Sequence, residues 1–293
     1  MSFLARTDRK GLRAGAVVVA SAAAVAATVW GVAALVGPGG TAASQQNMAR
    51  PGATDGSGRG DDGRPGRQLQ GIPESIAHAS ESGGNTVNIT IDDGPDPRWT
   101  PKVLDVLRRH DVKATFCMVG PQAKAHPDLV KKVVAAGHRL CDHTMNHDTA
   151  MDKKPVAYQE AQILEAKKLI EEAAGGGAKV EYYRAPGGAF TPDSRRIAAA
   201  HGMRPLGWNV DTKDFDKPGT AAIVNAVKRG IGKGPTVLFH DGGGNRAQTV
   251  DALDQVLTWL KEQGRPTGFP VRTAPDAPGA AGSPDAAGAS GAP

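Results

Sequence analysis

The chain has 293 residues, is 40% hydrophobic but only 4% aromatic, and carries a formal net charge of +5. Ala, Gly and Pro crowd both ends, so only the middle has the composition of a packed domain, with a mostly aliphatic core. The charge does not mark a nucleic-acid binder. Residues 1–13 hold Arg6, Arg9, Lys10 and Arg13 against Asp8, whereas residues 71–269 carry only +2 and lack a clustered basic face.

Residues 14–36 contain no charged side chain, and a helix of that length spans roughly 34 Å, enough to cross a ~30 Å hydrocarbon core. Basic residues on the N-terminal side keep 1–13 in the cytoplasm and send the rest out. The run is read as a single-pass membrane anchor. A cleavable signal peptide, cut after small residues such as Thr41 and Ala43, is the alternative. The two readings place the following domain outside, membrane-bound or secreted. Residues 37–84 are Gly-, Ser-, Gln-, Arg- and Asp-rich and are expected to be a flexible linker. Residues 271–293, rich in Ala, Pro and Gly, form a disordered tail in this reading.

Between them, apolar runs alternate with amphipathic stretches. Strands are expected at Val87–Ile91, Ala114–Val119, His138–Cys141, Lys179–Tyr183, Met203–Asn209, Val237–Phe239 and Pro270–Arg272. Helices are expected at Pro101–His110, Pro127–Ala136, Tyr158–Ala174, Asp193–Ala200, Ala221–Lys228 and Thr249–Gln263. Strict β/α alternation implies an α/β fold with a parallel sheet or barrel, in which chemistry gathers where strands end.

Polar residue types recur at those strand ends: Asp92-Asp93-Gly94-Pro95, His143-Thr-Met-Asn-His147, Arg184-Ala-Pro-Gly-Gly188, Asp211-Thr-Lys-Asp-Phe215 and Leu238-Phe-His-Asp241. Each has an ordinary structural explanation by itself: a turn, a surface ion pair, a core histidine, a helix cap. All five together are not explained that way. His143 and His147, four apart, would share one face of a helical turn and chelate one ion. A carboxylate beside them makes an open, catalytic type of site. Successive strand side chains point opposite ways, so Asp92 and Asp93 divide into one metal ligand and one proton acceptor.

As a set and in this order, the five segments resemble the motifs of carbohydrate esterase family 4, the polysaccharide deacetylases with a NodB homology domain, over roughly residues 85–270. The resemblance implies a distorted, incomplete (β/α)7 barrel with the active site at the C-terminal ends of the strands. It implies Asp92 as catalytic base, Asp93, His143 and His147 as metal ligands, and Arg184 as the residue orienting the base. His240 matches the general acid and Asp214 the carboxylate supporting it. Gly187 takes the place of the backbone donor to the oxyanion, and Phe215 and Leu238 that of the apolar pocket for the acetyl methyl. Gly187 stands where a tyrosine is often seen, and Phe215 where a tryptophan is common.

The expected reaction is metal-dependent hydrolysis of N-acetyl groups, releasing acetate. Zinc suits the two-histidine, one-aspartate set, and cobalt or nickel would satisfy the same ligands. Peptidoglycan N-acetylglucosamine is the expected substrate, with chitooligosaccharides and acetyl-xylan as alternatives. A non-catalytic wall-binding protein on a degenerate scaffold is the alternative of another class. The domain is expected to act as a monomer without nucleic acid. Cys117 and Cys141 are the only cysteines. If the second and third strands are neighbours they reach disulfide distance, and an exported domain meets oxidising conditions. The alternative is two buried free thiols.

Overall fold

The computed structural model describes residues 71–274. The proposed membrane segment at 14–36, residues 37–70 of the expected linker and residues 275–293 of the expected tail lie outside the described residues. Chain alternation begins with β1 (Val87–Asp92). Val87, Ile89 and Ile91 enter the main apolar core, while Asn88, Thr90 and Asp92, also buried, take the opposite face. One strand therefore feeds a greasy outer layer and a polar interior.

Helix α1 (Thr100–Arg109) opens with Pro101 and closes with Arg108 and Arg109 in its last turn, both favoured placements. There follow β2 (Thr115–Met118), α2 (Gly120–Ala125), α3 (Pro127–Ala135), β3 (Arg139–Asp142), α4 (Val156–Ala174) and β4 (Val180–Tyr183). Helix α5 (Pro192–Ala200) starts with a capping box in which Thr191 and Ser194 satisfy each other's backbone N–H. The remainder is β5 (Arg204–Pro205), β6 (Val210–Asp211), α6 (Thr220–Gly230), β7 (Thr236–His240), α7 (Ala247–Glu262) and β8 (Thr267–Gly268).

The strand order is β5-β4-β3-β2-β1-β7-β6, with β8 also beside β1, and the named strand pairs run parallel. Laid flat, seven strands would span ~29 Å from edge to edge. Yet β5 and β6, the two edges, are joined only by residues 206–209, a connection reaching at most ~18 Å. The sheet must therefore curl, and it forms an incomplete (β/α)7 barrel whose open seam lies between β5 and β6.

Three expectations are corrected. Met203–Asn209 is not one strand: only Arg204–Pro205 is a strand, beside β4, and the chain then crosses the seam so that Val210–Asp211 pairs with β7 on the other edge. The last strand falls at Thr267–Gly268, and Pro270 makes only an isolated bridge to Ser80. The linker does not extend to Gly84: Ala77 is fully buried and bridges Leu206, and the Ser75 carbonyl already accepts from Arg204 Nε at 2.8 Å. Backbone pairing and the packing of small side chains hold this segment, which is why its composition concealed it. Cys117 and Cys141 sit opposite each other in β2 and β3 and are joined by a disulfide. With Ala77, Tyr182, Leu206 and Val271 they form a second, smaller apolar cluster. Because Asp92 is in register with Cys117, that cluster lines the same inner face as the site.

Candidate active site

The strand register assembles the site. Asp92 ends β1 and is the direct lateral partner of His240, which ends β7. His143 follows the end of β3 and Arg184 that of β4. All four are buried, so each charge there needs a partner.

Arg184, fully buried, donates from Nη1 to Asp92 Oδ1 at 2.6 Å and to Thr90 Oγ1 at 3.0 Å. Its Nε and Nη2 reach the carbonyls of Leu206 and Gly207 at 3.2 and 2.9 Å. The indole of Trp208 lies 5.6 Å from the guanidinium. Burial raises the Asp92 carboxyl pKa, opposed by the charge of Arg184 and then by His240.

Asp93 takes a left-handed φ of 78°, a conformation that aspartate tolerates better than most residues. Its Oδ1 is buried without a hydrogen-bond partner, 3.6 Å from His143 Nε2 and 3.2 Å from His147 Nε2. One ligand atom from each of the three residues lies within 4.8 Å of the others. His143 Nδ1 is 2.8 Å from the Arg184 carbonyl. A carbonyl only accepts, so Nδ1 carries the proton and Nε2 presents its lone pair. Burial, with His147 adjacent, holds the His143 pKa down to about 3, keeping the ring neutral as a ligand must be. The orphaned Asp93 oxygen and the inward Nε2 atoms fit a divalent cation.

The reason given for the histidine spacing is corrected. Residues 143–150 form no helix: Thr144 and His147 have φ of 69° and 51°. A looped backbone brings the rings to 4.9 Å between centroids, the outcome that a helical turn would also have produced.

On the opposite wall, His240 Nδ1 lies 2.6 Å from Asp214 Oδ1. Thr249 also donates to Asp214 Oδ2 at 2.9 Å. Burial alone would lower the His240 pKa, but the hydrogen bond and charge of Asp214 outweigh it and raise it to about 9. Burial likewise opposes ionisation of Asp214, yet its bonds to His240 hold its pKa below the ordinary carboxylate range. Phe215, 37% exposed, presents its ring 5.2 Å from that of His240. Leu238 is buried two residues before His240 on the same strand face. Gly187 is exposed at φ 59°, and a Cβ there would come within 3.3 Å of Thr149. Both conditions favour glycine.

Sequence reasoning assigned no role to Asp241, although it directly follows His240. It is fully buried, accepts from Thr100 Oγ1 at 2.6 Å, and fills the space where Gly94 would carry a side chain. Burial lifts its pKa to about 7. Thr90 and Trp208 were also missed. Their service to Arg184 depends on contacts across the barrel that leave no local pattern.

Comparison with known proteins gives the family to which this fold belongs. The family model described as polysaccharide deacetylase matches residues 79–206, ending before Asp214 and His240. A chitooligosaccharide deacetylase of Sinorhizobium fredii is 38% identical over 208 residues, covering 67% of this chain and 93% of its own. A peptidoglycan-N-acetylglucosamine deacetylase of Bacillus cereus is 40% identical over 180 residues, covering 61% and 83%. A solved Bacillus anthracis structure described as a CE4 family pseudoenzyme gives a TM-score of 0.61 at 29% identity, covering 67% and 68%. The chain belongs to the polysaccharide deacetylase family, the CE4 carbohydrate esterases. It is a hydrolase of that class. Because the same fold also carries a pseudoenzyme, the individual roles must be argued from the side chains.

Proposed function

We propose that this domain removes N-acetyl groups from peptidoglycan N-acetylglucosamine outside the cytoplasmic membrane, using a divalent metal, zinc by preference, held by Asp93, His143 and His147. The observation that carries the reading is the register pairing of Asp92 with His240, each with its own counter-charge, at the rim of the three-ligand cluster. The base and the acid thus flank one reaction volume from adjacent strands. The Bacillus cereus relative, at 40% identity, supports the substrate.

The metal, when bound, supplies Lewis acidity that makes water a competent nucleophile near neutral pH and polarises the acetyl carbonyl. Asp92 takes the proton of the attacking water while Arg184 holds its carboxylate in place. The Gly187 N–H faces the developing oxyanion, a contribution of about 3 kcal/mol for a well-placed donor. Phe215 and Leu238 enclose the acetyl methyl. His240, kept protonated by Asp214, donates to the amide nitrogen as its bond to the acyl carbon breaks. Acetate and a free amino sugar leave.

Chitooligosaccharide is the second reading, favoured by the Sinorhizobium fredii relative, of which 93% is matched. Acetate release from peptidoglycan, chitooligosaccharide and acetyl-xylan, measured in parallel with and without chelator, tests the proposal. Fastest release from peptidoglycan, abolished by chelator, is expected. Chelator-resistant turnover would remove the metal from the reading, and preference for another polymer would remove peptidoglycan.

A further inference from the structure

Arg184 owes its position to a segment far from it in sequence. The carbonyls of Leu206 and Gly207 hold its Nε and Nη2. The other side of that seam-crossing stretch is gripped by the chain that enters the domain. Ala77 N–H donates to Pro205 O at 2.8 Å, and Gly207 N–H donates to Ala77 O at 2.9 Å. Ala77 is fully buried, packed in the inner cluster with Leu206.

Gly207 is where the two pieces meet most closely. A Cβ there would run into His78 Nε2 and would lie 2.9 Å from both His78 Cδ2 and Ile76 Cγ2. Gly207 is not among the glycines with positive φ, so it is glycine for lack of space, not for backbone conformation. Further along, His78 O accepts from Thr236 Oγ1 at 2.7 Å, and Ala79 O accepts from Asn88 Nδ2 at 3.3 Å. The segment thereby ties the seam to β7 and β1, the strands that carry His240 and Asp92.

We infer that Ile76–Ala79 is a positioning strap: by fixing the Leu206–Gly207 peptides across the barrel seam, it holds Arg184 against Asp92. The inference rests on the reading of Asp92 as the base. The strap's bonds to Pro205, Gly207, Thr236 and Asn88 act on the seam and the strands, so its effect should fall on kcat and not on KM or metal content.

The test uses the full chain with its metal. Gly207→Ala should lower kcat at least tenfold, with KM within twofold of wild type and metal stoichiometry unchanged. Hydrogen-exchange protection of the Arg184 side-chain Nε–H, followed by NMR, should fall at least tenfold. Adding Ile76→Ala and His78→Ala removes the atoms that the new methyl strikes. That triple variant should recover kcat to within threefold of the Ile76→Ala/His78→Ala background. Unchanged kcat and unchanged protection in Gly207→Ala, or no recovery in the triple variant, would overturn the strap. If Gly207→Ala does not fold, Ala77→Gly decides: it loosens the strap's seat, and undiminished kcat and protection would be equally fatal. Asp92→Asn is run alongside. Full turnover there, with Arg184 protection still lost in Gly207→Ala, would leave the strap standing and remove the base assignment instead.

Discussion

Asp214 holds His240 at two points: Oδ1 lies 2.6 Å from ring Nδ1, and Oδ2 accepts the His240 backbone N–H at 2.8 Å. Ring angle and strand end are therefore locked by one carboxylate. The His240 pKa, about 9, lies above the ordinary 6.5. The charged ring thus adds stability fully present below roughly pH 6.5 and lost as pH rises through about 9. The alkaline limb of kcat/KM should accordingly fall near pH 9. Asp214→Asn removes the raising charge and leaves the burial that lowers the pKa, so the limb should move to lower pH. An unmoved limb would remove His240 from the titrating role.

His240→Ala should reduce turnover of acetamides by on the order of 10²–10⁴. Activated acetate esters, whose leaving group needs little protonation, should lose far less. Equal losses on the two substrate types, with metal content intact, would mark His240 as structural.

The adjacent acids should separate cleanly. Asp93→Asn, His143→Ala and His147→Ala should lose stoichiometric metal along with activity, because each removes one donor from a three-residue set. Asp92→Asn should keep its metal and lose turnover by on the order of 10²–10⁴. Elemental analysis of the purified variants checks this, and the opposite pattern within the pair would exchange the two roles.

Arg184 is fully buried, and Asp92, its partner, is nearly so. Removing one partner of a buried pair leaves an uncompensated charge, so Arg184→Ala should cost about 3–5 kcal/mol of stability. Denaturant unfolding reads this directly. A cost under ~1 kcal/mol, the range of exposed pairs, would mean that the pair is solvated like a surface ion pair.

The disulfide closes a separation of 24 residues between β2 and β3. A Cys117→Ala/Cys141→Ala chain should be less stable by about 3 kcal/mol on a chain-entropy basis. Since β3 leads directly into His143, metal affinity should weaken as well. Two reactive thiols per chain in denatured, unreduced protein from an oxidising compartment would show the bridge to be absent there.

Local pattern was enough to read the β/α alternation and the residue types at five strand ends, because periodicity and strand-end chemistry are written within a few consecutive residues. Asp92, Asp93, His143 and His147 stood out in that way, whereas Arg184, Asp214 and His240 took their expected roles from the family resemblance. Tertiary structure alone decided the rest. The histidine pair meets through a left-handed loop, not a helix. Residues 204–205 and 210–211 lie on the two sheet edges, since a seam exists only once the sheet has curled. Ala77 joins the domain through backbone bonds to Pro205 and Gly207, and backbone groups are alike in every residue, so composition could not reveal it. The side chain of Arg184 is held by carbonyls that any sequence would have supplied; only the fold determines which of them it meets.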